Sequence, residues 1–261
     1  MDRANLPRLA ERLRGARRVT VLTGAGVSAA SGVPTFRGAG GLWRNYRPED
    51  LATPEAFARD PILLWEWYAW RRATIAGCVP NAAHEVLARW SQHDGGTTIV
   101  TQNVDDLHLR AGTAGLVRLH GSIWELSCSA LCPAGTNPWR DERVALPRLP
   151  RCPHCQAAAR PAVVWFGEAL DEGDLRAALD ATACDVFVTV GTSSVVYPAA
   201  GLVDQARRFG AFTAEINADA TPATALVDLA IQGAAERVLP ELDRLIATSA
   251  TAAPRRRDGA A

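Results

Sequence analysis

Val19 to Thr23 is a short run of β-branched and apolar residues that leads without a break into Gly24-Ala25-Gly26, and an Ala/Ser-rich helical pattern starts at Val27. A buried strand, a glycine turn and a helix in that order admit few architectures. Gly24, Gly26 and Ala29 occupy the small-residue positions of a dinucleotide-binding fingerprint. There Gly24 would permit the tight turn, Gly26 would let backbone approach a pyrophosphate, and Ala29 would let the helix pack on its strand. The helix N-terminus would offer N–H groups to the anion. A plain glycine turn fits the same residues, so this stretch alone leaves both readings open. The second strand with an acidic end, due about twenty positions on, does not follow. Gly32 to Trp43 is instead a glycine-rich loop with one Arg and two aromatics, Phe36 and Trp43, which reads as a lid over a ligand.

Length and charge narrow the class. The 261 residues suffice for one large domain, or one with a smaller insert. Apolar residues make up 48% and charged residues 21%, an ordinary globular balance. The formal net charge is zero, which argues against nucleic acid as a partner. All 28 basic residues are Arg, a mark of coding composition rather than chemistry. No apolar run has the length of a membrane span, and Leu6 to Leu13 is an Arg-rich amphipathic segment without a signal-peptide core. A cytoplasmic monomer is the expectation.

Strand-like segments recur at 97–101, 117–119, 162–165, 185–190, 211–216 and 227–231, alternating with helical patterns. Thr53-Pro54 and Asp60-Pro61 read as helix starts, the second opening a helix dense in aromatics with Trp65, Trp67, Tyr68 and Trp70. This alternation predicts an α/β fold with a Rossmann-like, mostly parallel sheet. Residues 123–160 lose the alternation and read as an inserted module. Residues 1–247 are read as one catalytic domain, with a smaller helical and zinc-ribbon module formed by about 33–80 and 121–161. Residues 248–261 are read as a disordered tail. Nearly every strand ends in Gly, Ser, Thr, Asn or His, so the polar tips should converge on one rim, where such sheets bind ligands.

Four of the six cysteines form two close pairs, Cys128-x3-Cys132 and Cys152-x2-Cys155. Two thiolate pairs separated by a loop are a zinc signature, and four protein ligands make the site structural rather than catalytic. Disulfides are the rival and are disfavoured in a reducing compartment. His154, inside the second pair, is an alternative ligand.

Taken in order, Gly24-Ala25-Gly26-Val27-Ser28, Pro34-Thr35-Phe36-Arg37, Gln102-Asn103-Val104-Asp105, His120-Gly121, the four cysteines, Val164-Trp165-Phe166-Gly167-Glu168, Gly191-Thr192-Ser193 and Asn217 closely resemble the sirtuin family of NAD-dependent protein deacylases. The resemblance spans about 19–217 and implies NAD as a consumed co-substrate, one structural zinc, and acyl-lysine proteins or peptides as substrates. It implies that His120 is the proton acceptor acting on the nicotinamide ribose. Asn103 and Asp105 would hold the carboxamide and ribose, and Gln102 would orient the ribose. Gly24, Ala25, Gly26, Ser28, Phe36, Arg37 and Trp43 would surround the phosphates and nicotinamide. Gly191, Thr192, Ser193, Asn217 and Ala235 would bind the adenosine half. Val164, Trp165, Phe166 and Gly167 would offer a strand edge to the peptide. The implied products are free lysine, nicotinamide and O-acyl-ADP-ribose.

Tyr68 and Arg71 lie three apart and share a helix face. Family members that remove succinyl, malonyl or glutaryl groups carry Tyr-x-x-Arg at the matching place, and a guanidinium beside a phenol suits a carboxylate. The resemblance therefore implies an acidic acyl preference, Ala52 leaving space for the longer chain, with some deacetylase activity. Protein mono-ADP-ribosyl transfer or NAD hydrolysis in the same pocket is the competing enzymatic reading. An NAD-sensing zinc-ribbon adaptor is the non-enzymatic one.

Overall fold

The computed structural model describes residues 4–35, 46–93, 96–135 and 137–250. After helix α1 (Leu6–Gly15), the chain forms β1 (Val19–Thr23) and a four-residue helix α2 (Gly26–Ala29). Helices α3 (Pro48–Leu51), α4 (Pro54–Arg59), α5 (Pro61–Ala76) and α6 (Ala82–Ser91) precede β2 (Thr97–Thr101). Next come α7 (Leu107–Arg110), β3 (Val117–Arg118), β4 (Gly121–Cys128), β5 (Trp139–Arg140) and β6 (Ala159–Val163). The chain continues through α8 (Glu172–Ala181), β7 (Val186–Val190), α9 (Leu202–Arg208), β8 (Phe212–Asn217), β9 (Leu229–Gln232) and α10 (Ala235–Ala250).

Six strands make one parallel sheet in the order β3-β2-β1-β7-β8-β9. Every residue of β1 and β7 is buried, as befits central strands covered on both faces. Side chains alternate between two cores. Val21, Ile99, Val188 and Ile216 pack against α1, α6 and α10, whereas Leu22, Val100 and Phe187 pack against α8 and α9. Successive strands step outward from β1 in one direction and from β7 in the other, so the order reverses between them. That switch point opens a crevice at the strand ends. The register sets Thr23 opposite both Thr101 and Val190, which brings their polar continuations to one rim.

A third core cluster lies outside this sandwich. It joins Leu51, Ala56, Leu64, Trp65, Trp67 and Tyr68 to Ile123, Leu126, Val163 and Trp165, over the antiparallel sheet β5-β4-β6. Caps fix the helices that enter it. The Thr53 hydroxyl accepts from Ala56 N at 3.1 Å and the Asp60 carboxylate from Leu63 N at 2.9 Å. Of the aromatic helix, Trp65, Trp67 and Tyr68 are buried and Trp70 faces solvent.

Several expectations are corrected. The strand expected at 162–165 is β6, which starts at Ala159 and pairs antiparallel with β4, outside the parallel sheet. Gly121, at φ 75°, makes this possible: a Cβ there would meet the Ala162 carbonyl oxygen at 2.1 Å, so β4 crosses β6 only at glycine. The helix expected from Val27 ends at Ala29 because Gly32, at φ 91°, turns the chain away. Ala29 is exposed and packs on no strand. At the other end, α10 continues to Ala250, past the boundary expected at 247.

Candidate active site

The rim is built first by close backbone contact. Gly24 N donates to Val190 O at 3.1 Å, Gly26 N to Gly191 O at 2.8 Å and Gly191 N to Ile216 O at 2.9 Å. A Cβ on Gly24 would lie 2.7 Å from Thr192 Cα, and one on Gly26 would lie 2.8 Å from Gly191 Cα. The fingerprint glycines therefore let two strand tips touch, a role the sequence pattern does not reveal. Val27 N and Ser28 N close onto Gly24 O and Ala25 O. Of the N–H groups from Gly24 to Ser28, only that of Ala25 has no acceptor among the described residues.

Polar side chains from the tips then knit together. Gln102 Nε2 donates to Thr192 Oγ1 at 2.8 Å, and Asn217 Nδ2 donates to Thr192 O at 2.8 Å. Ser28 Oγ donates to Asp105 Oδ2 at 2.8 Å and accepts from Asn103 Nδ2 at 3.1 Å. A further partner, unforeseen from the sequence, is His84. Its Nδ1 accepts from Asn81 N at 3.2 Å, so the proton sits on Nε2, 3.3 Å from Ser28 Oγ. Burial lowers the His84 pKa to about 4 and, with His84 beside it, that of His108 to about 3, so both rings are neutral near pH 7. Asp105 is nearly fully buried, and burial raises its pKa.

His120 stands just before β4. Its Nδ1–H donates to Gln102 O at 2.9 Å, which leaves the Nε2 lone pair free to take a proton. Burial holds its pKa below the ordinary imidazole value of 6.5, while the Gln102 carbonyl opposes the shift. The backbone is fixed as well, because Val164 N donates to His120 O at 3.1 Å.

Arg71 lines a narrow cleft with Ala25, Val33, Pro34, Asn103, Val104 and Asp105. Its guanidinium is buried, lies 5.0 Å from the Trp67 ring and 5.8 Å from the Tyr68 ring, and has its pKa lowered by burial. Tyr68 is fully buried, and its hydroxyl accepts from Trp165 Nε1 at 2.9 Å, which leaves its own proton to donate. Val33, Pro34 and Val104 line the cleft without having been singled out; Val104 lies inside the Gln102–Asp105 run and Pro34 inside Pro34–Arg37.

The segment after β6 differs from the strand edge expected of it. Trp165 is only 3% exposed and packs on Phe57 and Tyr68, with Arg160 stacked 3.6 Å from its ring centre, so its side chain belongs to the core. Phe166 is exposed, Gly167 adopts φ 88°, and Phe166 N is taken by Ala52 O. The Val164 carbonyl and the Gly167 N–H bond nothing among the described residues. Ala235 is buried in the first core cluster, and Ser193 is half-buried at the rim. Phe36, Arg37 and Trp43 lie outside the described residues.

The sulfur atoms of Cys128, Cys132, Cys152 and Cys155 lie within 4.8 Å of one another, with 3.4 Å from Cys128 to Cys155 and 3.7 Å from Cys132 to Cys152. These separations exceed the roughly 2.05 Å of a disulfide. They fit a tetrahedron with metal–sulfur bonds of about 2.3 Å, whose edges are about 3.8 Å. His154 is exposed and outside the cluster. A zinc ion fits here as a fourfold thiolate complex. Strand β4 runs from the residue after His120 to Cys128, about 20–25 Å at the usual rise, so the metal stands apart from the cleft.

With this geometry in place, comparison with known proteins decides the family. A Sir2 family model matches residues 24–198. The chain belongs to the Sir2 family. Among relatives of this Sir2 protein, NAD-dependent protein deacylase 2 of Pyrobaculum aerophilum is 48% identical over 236 residues, covering 90% of this chain and 93% of the relative. The mitochondrial NAD-dependent protein deacylase sirtuin-5 of Canis lupus familiaris is 43% identical over 250 residues, covering 87% and 81%. A solved Sir2 homologue–NAD complex superposes with a TM-score of 0.87 at 42% identity, covering 93% of this chain and 94% of that one. Among the described residues, no helix is long and apolar enough to cross a membrane.

Proposed function

We infer that the protein is an NAD-dependent protein-lysine deacylase that prefers acyl groups ending in a carboxylate, such as succinyl, malonyl or glutaryl, and retains some deacetylase activity. The carrying observation is His120, its Nε2 left free by the Nδ1 contact to Gln102 O, one residue from Asn103, which lines a cleft with Asp105 and the buried Arg71. Bound NAD supplies the carbon that receives the acyl oxygen and the nicotinamide that leaves. The residues of the chain do the rest. Ala25 N–H, beside Gly24 and Gly26, would donate to a phosphate, and the family resemblance assigns Phe36, Arg37 and Trp43 to the same cofactor. Gly191, Thr192, Ser193, Asn217 and Ala235 hold the adenosine half. Asn103 and Asp105 hold the carboxamide and ribose, their angles set by Ser28, and Gln102 orients the ribose. His120 Nε2 accepts a ribose hydroxyl proton. The Val164 carbonyl and Gly167 N–H receive the peptide backbone in the manner of an added strand. One structural Zn²⁺ is held by Cys128, Cys132, Cys152 and Cys155.

The acyl preference follows from electrostatics. Arg71 brings a positive charge to the cleft wall, and Tyr68 offers a hydrogen-bond donor on the same helix face. A terminal carboxylate can engage both groups, whereas an acetyl methyl engages neither. Hydrogen bonds to charged groups contribute about 1.5–3 kcal/mol. Arg71→Met is therefore expected to lower desuccinylation kcat/KM by about 10- to 150-fold and to change deacetylation little. An assay of acetyl-, malonyl-, succinyl- and glutaryl-lysine peptides side by side checks this, and equal losses on all four would refute the assignment. Zero net charge supports action without nucleic acid, and the unbridged cysteines suit a cytoplasmic setting.

A further inference from the structure

The loop that carries Asn103 and Asp105 is tethered from behind by the metal-bearing sheet. Asp106, the next residue, takes φ 62°, a left-handed conformation that few side chains adopt without support. Its carboxylate is buried, and Asp106 does not border the cleft. Ser122 Oγ on β4 donates to Oδ1 at 2.9 Å, Arg140 Nη1 on β5 donates to Oδ2, and Arg118 on β3 lies 3.7 Å from Oδ1. A second tether reaches Asp105 itself: Trp124 Nε1 on β4 donates to the Asp105 carbonyl at 3.2 Å. The Trp124 ring is held in turn by Arg72, whose guanidinium lies 4.8 Å from it and pairs with Asp141 beside β5. Arg140 sits opposite Glu125 on β4, and β4 ends at the ligand Cys128.

We propose that Arg140 and Trp124 are positioning residues for the deacylase reaction: acting through the Asp106 carboxylate and the Asp105 carbonyl, they hold residues 102–106 in the shape that binds the nicotinamide ribose, so that the metal-bearing sheet sets the affinity for NAD. The inference rests on the roles given above to Asn103 and Asp105. Neither Arg140 nor Trp124 borders the cleft. The Arg140 side chain is 45% exposed, so its truncation leaves no buried cavity, and its effect should pass through Asp106.

The test is calorimetric titration of NAD into zinc-loaded protein, with steady-state kinetics on a succinylated peptide. Arg140→Met is expected to raise the Kd and KM for NAD roughly tenfold, leaving the peptide KM and the zinc content unchanged, and Arg140→Lys should restore most of the loss. Asp106→Gly accepts the left-handed backbone freely but cannot pair with Arg140, so it should behave like Arg140→Met. Trp124→Phe keeps the ring over which Arg72 lies but removes the N–H, and should weaken NAD binding independently, carrying the test if an Arg140 variant fails to fold. Folded, zinc-loaded variants with wild-type NAD affinity would overturn the proposal, as would an Asp106→Gly protein indistinguishable from wild type. If NAD and peptide KM rose together with no rescue by lysine, the role would be merely structural and the proposal would fall. A wild-type protein that binds no NAD would overturn the functional reading and this one with it, whereas unaltered variants beside a binding wild type overturn this one alone.

Discussion

Replacing His120 by alanine is expected to lower kcat/KM for deacylation between about 10²- and 10⁴-fold, the usual contribution of a positioned general base, while NAD still binds. The ring is already oriented: the Gln102 carbonyl takes the Nδ1 proton, and the bond from Val164 N to His120 O fixes where the side chain starts. On the proposed roles, removing it would take away the acceptor of the ribose proton and leave the groups assigned to the phosphates and adenosine in place. The same residue sets the acid side of the pH profile. A base works only when unprotonated, and burial lowers the His120 pKa. The acid limb of kcat/KM should therefore fall below pH 6.5, with activity kept into mildly acidic solution, and a limb above 6.5 would mean that burial does not govern this group. Deacylation and NAD binding measured on the same His120→Ala protein separate the roles; activity within a few-fold of wild type would remove His120 from the chemistry.

Replacing Cys152 by serine is expected to abolish metal binding and unfold the β5-β4-β6 module. Cys152 is fully buried, and the turn around it is packed tightly: a Cβ on Gly135 would lie 2.9 Å from the Cys132 and Cys152 sulfur atoms. Structural zinc contributes about 10–16 kcal/mol in isolated finger peptides, comparable to the whole stability of a typical domain, about 5–15 kcal/mol. No hydrophobic rearrangement within so small a sheet offsets that loss. Metal analysis should give one zinc per wild-type chain and close to none for the variant, and limited proteolysis should cut the variant between 128 and 160. Full zinc content with unchanged protease resistance would contradict the assignment of this ligand.

The parallel sheet was legible because β1 and β7 are buried on both faces, so burial and β-branched composition coincide in a few consecutive residues. The helix starts at Thr53 and Asp60 were legible because a cap is a local contact over three residues. The antiparallel sheet was not. Strand β4 alternates only from Trp124 to Cys128, and the run Ser122, Ile123 and Trp124, all covered, breaks the pattern at its start. Its pairing with β6 depends on Gly121, whose neighbour Ala162 is 41 residues away. Long-range contact likewise hid what Gly24 and Gly26 do, since the group that needs their missing side chains is another strand tip at Gly191 and Thr192. In the site, Ala25, Arg71, Asn103 and Asp105 were legible through the family resemblance of their motifs, whereas the apolar Val33, Pro34 and Val104 carried no chemical signal. The residues that hold the site's polar groups, such as His84 behind Ser28 and Trp124 behind Asp105, are joined only by the fold.

The most direct test of the whole account is the fate of the acyl group when the zinc-loaded protein is incubated with NAD and a succinyl-lysine peptide and the products are weighed by mass spectrometry. The account predicts free lysine, one nicotinamide per lysine released, and the succinyl group carried on ADP-ribose. Free succinate appearing at an equal rate without NAD, or ADP-ribose attached to the peptide with its succinyl-lysine intact, would contradict it.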